Sequence, residues 1–91
     1  MTPLEKVQAE IARYEHALLA FSARENNGGV ELVIALKDPI AGVHTYYAPL
    51  HPRDLEHPQF PWTFQRFLYD CMHDYLVELF LRTPQSREVR P

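Results

Sequence analysis

Apolar residues recur at spacings of three and four from the start of the chain: Leu4, Val7, Ile11, Tyr14, Leu18 and Phe21. Such spacing lays them on one stripe of a helix. Thr2-Pro3-Leu4-Glu5 supplies the start, with Thr2 as N-cap, Pro3 in the first turn and Glu5 closing a capping box. Asn26-Asn27-Gly28-Gly29 reads as the end, because Asn and Gly tolerate the left-handed backbone at a helix C-terminus. The pattern predicts a helix over 3–25. Its second half, through Ala17, Leu18, Leu19, Ala20, Phe21 and Ala23, is apolar nearly all round, which calls for a second packing partner.

The period then changes to two. Val30, Leu32, Ile34 and Leu36 make an apolar face, and Glu31, Val33, Ala35 and Lys37 a mixed one, so 30–37 is expected to be a strand. Asp38-Pro39-Ile40-Ala41-Gly42 is a turn, and 43–48 returns as the second strand of a hairpin. Two registers are open for that strand, differing by one residue in which side chains face the core. Pro49, Pro52, Pro58 and Pro61 are expected to exclude any regular element between 49 and 61.

A second helix is expected over 61–82, stopped by Thr83-Pro84. Phe64, Leu68, Cys71, Met72, Tyr75, Leu76 and Leu79 form its apolar arc. Arg66, Asp70, His73, Asp74 and Glu78 are assigned to the opposite side. The fold class is therefore α+β in the order α-β-β-α: two long amphipathic helices packed on a β-hairpin. One domain is expected over 1–84, followed by a polar tail over 85–91.

Length turns this pattern into a question of stability. A chain of 91 residues has a thin core, and small domains commonly add disulfides, metals or a second subunit. Cys71 is the single cysteine, so no internal disulfide forms. A lone two-stranded hairpin is marginal in water and leaves two edges open. Homodimerisation that completes or covers the sheet is the expected remedy. Leu19, Phe67, Val77 and Leu81, apolar residues without an obvious place in one chain, are the expected interface residues.

A net charge of −3 lacks the basic footprint of a nucleic-acid binder. Tyr46, Tyr47 and His44 with Lys37 and Arg53 could form a base-stacking platform, but double-stranded-RNA binders of this general build need a third strand and basic positions. Both are expected to be missing. No apolar run approaches the ~20 residues that span a bilayer. With no export signal and one cysteine, a cytoplasmic location is the expectation.

Three groupings could carry chemistry. His44, His51, Asp54 and His57 lie in or beside the Pro-rich segment and are the candidate metal ligands, being of the types zinc, iron or nickel accept. Their spacing matches no named metal motif, and loop histidines often bond to backbone instead. Asp70-x-x-His73-Asp74 reads as a solvated helix face. Cys71 and His73 are ~200° apart around a helix and cannot act as nucleophile and base. No cofactor is called for. The leading expectation is a non-enzymatic homodimeric protein-interaction module. The alternatives are a small metal- or ligand-binding protein using the loop histidines, and a nucleic-acid-binding module.

Overall fold

The computed structural model describes residues 2–38 and 40–81, with the Leu81 side chain excluded. The elements are α1 (Pro3–Ile11), β1 (Leu19–Asn26), β2 (Gly29–Leu36), β3 (Tyr46–Pro49), α2 (Pro52–Leu55) and α3 (Phe60–Leu81). The expected tail over 85–91 lies outside the described residues. Among the described residues no helix is long and apolar enough to cross a membrane.

The α+β class is as expected, but the order α-β-β-α is corrected by a third strand. The helix expected over 3–25 stops at Ile11, and residues 19–26 form β1 instead. The start is as read: the Thr2 hydroxyl accepts from the Glu5 N–H at 3.1 Å, and Glu5 Oε1 accepts from the Thr2 N–H at 3.0 Å. Beyond Ile11 the chain loosens through Arg13 and Tyr14. His16 then caps the next turn, its Nδ1 accepting from the N–H groups of Leu18 and Leu19 at 3.0 and 3.2 Å.

The reason lies at Asn27-Gly28. Both residues have positive φ, 52° and 79°, and they join β1 to β2 as a two-residue hairpin turn with Asn26 opposite Gly29. Asn-Gly is the strongest short hairpin signal, because both central positions of the favoured turn need the left-handed region. Once this turn forms, eight residue pairs from Asn26–Gly29 to Leu19–Leu36 follow from register. Leu19, Phe21 and Ala23 then alternate inward in period two, a pattern hidden within the helical spacing.

β2 pairs with β3 on its other side, antiparallel, giving the order β1-β2-β3. The register left open by the sequence places Tyr46, Ala48 and Leu50 in the core. Thus β2 is central, and β1 has no strand on its outer side among the described residues.

Both long helices lie on one face of this sheet. Val7 of α1 and Phe60, Phe64, Leu68, Cys71 and Tyr75 of α3 pack with the inward residues of all three strands in one core. Tyr14 meets the Phe64 and Tyr69 rings, each at 6.2 Å, and joins the two helical segments. Against the expectation of no regular element between 49 and 61, α2 forms there with Pro52 at its first position, where a proline is tolerated. Lys6 Nζ donates to the Leu55 carbonyl and lies 4.6 Å from the Phe60 ring, tying α2 to both. On the other face of the sheet Ala20, Ser22 and Arg24 are exposed.

Candidate functional site

Two features of this fold are not accounted for by packing, and both involve α3. The first is at the inner side of its last turns. Glu78 is 1% exposed. Its Oε1 pairs with His44 Nε2 at 2.5 Å, and its Oε2 has no hydrogen-bond partner among the described residues. A buried carboxylate oxygen left bare is costly, so an orphan of this kind calls for an explanation.

His44 is held from two directions. Its ring stands edge-on to Tyr75 at 5.3 Å, and Tyr75 Oη donates to the His44 carbonyl at 2.7 Å. Burial, and then the nearby Glu78 charge, push the Tyr75 phenol above its ordinary pKa, so it stays a donor. Tyr46 packs beside Tyr75 at 5.8 Å and donates to Asp74 Oδ2 at 3.3 Å. The residues that set the imidazole thus come from the 37–45 loop, β3 and α3.

Beside the pair opens a cavity of about 670 Å³ lined by Leu36, Ile40, Val43 and Leu79 with His44 and Glu78. Among the described residues that line it, none is Lys or Arg. Apart from the His44–Glu78 pair its side-chain lining is aliphatic, a mixture common in small-molecule sites.

Sequence reasoning missed Glu78. It lies seven residues after Cys71 and fourteen after Phe64, so at ~100° per residue it falls inside the apolar arc and not opposite it. That count was available from the sequence; the partner was not.

Of the candidate metal ligands, only His44 belongs to this site. His51 caps α2, its Nδ1 accepting from the Arg53 N–H at 3.1 Å, and His57 Nδ1 accepts from the Gln59 N–H at 3.0 Å. Asp54 sits in the first turn of α2, half-buried. β3 separates His44 from His51, so the four side chains are not brought together. Among the described residues no group of three or more His, Cys, Asp or Glu is placed to hold a metal ion.

The second feature is the outer face of α3. Trp62, Tyr69 and Leu76 are each about half exposed and Phe80 is 87% exposed. The first three repeat every seven residues, and with Arg66, His73 and Phe80 they trace one seam at spacings of four and three. Arg66 stacks over the Trp62 ring at 5.1 Å. These are not the residues the sequence suggested. Leu19 is 1% exposed and belongs to the chain's own core, because its segment is a strand. Phe67 packs partly against that core and Val77 is half-buried, while the Leu81 side chain lies outside the described residues.

The third strand expected to be missing is present, but the basic positions are not supplied by it. Arg24, its cation on the open face, pairs with Glu31 at 2.7 Å and covers the Tyr47 ring at 4.6 Å. Compared with models of known families, with curated proteins and with solved structures, the chain matches none.

Proposed function

We propose that the protein is a homodimeric, non-enzymatic interaction module that pairs through the outer face of α3. The observation that carries this reading is the seam of Trp62, Tyr69, Leu76 and Phe80. Together these expose apolar area on the order of 500 Å², at the upper end of what a monomer shows to water. Seven-residue spacing is the geometry by which one helix meets another along its length. Two antiparallel copies centred near residue 71 would set Trp62 against Phe80 at each end and Tyr69 beside His73 in the middle. One patch then serves both subunits, as a two-fold interface requires.

A nucleic-acid role is less well supported. The net charge is −3, and the exposed cation of β1 is already paired.

Light scattering after size exclusion at low micromolar concentration tests the reading. A mass near twice 10.7 kDa is expected, falling to the monomer in Leu76→Glu and Phe80→Glu with the circular dichroism spectrum retained. A wild-type monomer at that concentration would sink it.

A further inference from the structure

The cavity beside Glu78 carries an inference independent of how the chain pairs. Glu78 Oε2 is buried, has no hydrogen-bond partner among the described residues, and belongs to a residue lining a space of about 670 Å³. The Tyr75 hydroxyl does not serve it, since Oη donates to the His44 carbonyl. What fits there must be a hydrogen-bond donor.

Charge narrows the class. No Lys or Arg lines the cavity among the described residues, and the carboxylate is its anionic group. An anion would meet repulsion, whereas a cationic N–H makes the stronger, charge-assisted bond. Among the described residues a metal ion would find only His44 and Glu78, short of the three protein ligands even an open zinc site uses. A single water would satisfy one contact against otherwise aliphatic walls, and buried waters need two to four polar partners. The remaining wall, Leu36, Ile40, Val43 and Leu79, fits a hydrocarbon body.

We propose that this cavity binds a small organic ammonium ion with an apolar body, its N–H donating to Glu78 Oε2. His44 holds Oε1, so that one carboxylate oxygen is anchored and the other presented. Ile40 and Val43, both exposed, form the mouth.

The test uses the full chain, with hexylammonium, hexanol and hexanoate as probes that share a body and differ in the head. Calorimetry and amide NMR should show hexylammonium binding about tenfold or more tighter than hexanol, and hexanoate not at all. Amide shifts should centre on Val43, His44, Glu78 and Leu79. Glu78→Gln should reduce hexylammonium to the hexanol level. Ile40→Arg, at an exposed position that leaves the core alone, should abolish binding by placing a guanidinium in the mouth. Equal affinity for the amine and the alcohol, or hexylammonium binding unchanged in Glu78→Gln, overturns the proposal.

Discussion

Two carboxylates in this small protein are equally buried and differently kept. Glu31 and Glu78 are each 1% exposed. Glu31 lies on the face of the sheet opposite the helices, where Arg24 Nε donates to Oε1 at 2.7 Å and Asn26 Nδ2 to Oε2 at 3.3 Å. Both of its oxygens are engaged, and its cross-strand partner in the β1–β2 register is Arg24 itself. Glu78 has one oxygen on His44 and the other without a partner among the described residues, beside a cavity with a largely aliphatic side-chain lining. Burial alone therefore does not mark a functional acid. An acid whose bonding capacity is saturated locks a register, whereas one left half-satisfied is free to take a ligand.

Removing the histidine should break this contrast most severely. His44→Ala leaves the Glu78 carboxylate buried with neither oxygen bonded and deletes the ring packed on Tyr75, so a loss of about 3 kcal/mol is expected in urea unfolding. A change under about 1 kcal/mol would show that the pair adds little to stability.

Paired leucine substitutions sharpen the contrast. Glu78→Leu removes an unsatisfied acceptor but also the bond to His44, whose part-exposed ring can turn to water. A net change under about 1 kcal/mol in either direction is therefore expected. Glu31→Leu strips Arg24 and Asn26 of their acceptor and is expected to cost about 1–2 kcal/mol. Equal effects at the two sites would remove the distinction. A gain at Glu78 would fit a binding site that costs the fold some stability.

The smallest effect concerns an exposed carboxylate. The Thr2 backbone N–H, and then its hydroxyl, hold the Glu5 carboxyl below its ordinary value of 4.5. Its folded value lies below the unfolded one, so the support it gives α1 is present above pH 4.5 and is lost as pH falls through the folded value. NMR titration of the Glu5 carboxyl should show this depression, reduced toward the ordinary range in Thr2→Ala.

The sequence was least informative where one motif serves two structures. Asn27-Gly28 suits a helix C-terminus and a hairpin turn alike, since both need positive φ. Leu18 and Phe21 continue a helical spacing, while Leu19, Phe21 and Ala23 alternate as a strand. Local pattern could not choose between them. The site was legible in part: His44 stood among the candidates, but with His51, Asp54 and His57 as companions. Its actual partner is 34 residues away on α3. The seam on α3 was legible in its spacing and was obscured by assigning Leu76 to the core.

Taken alone, the residues determined the capped start of α1, the hairpin of β2 and β3, and α3 to within a residue of its ends. These rest on interactions between near neighbours: a hydroxyl three residues from an amide, an alternation along one strand, a stripe along one helix. Tertiary structure decided the rest. Residues 19–26 became a strand because β2 offers them eight backbone pairings and an inward face for Leu19, Phe21 and Ala23. Glu78 became a half-satisfied acid because folding brings the 37–45 loop against the last turns of α3. Both outcomes depend on contacts between distant parts of the chain, and no local pattern encodes which of those will form.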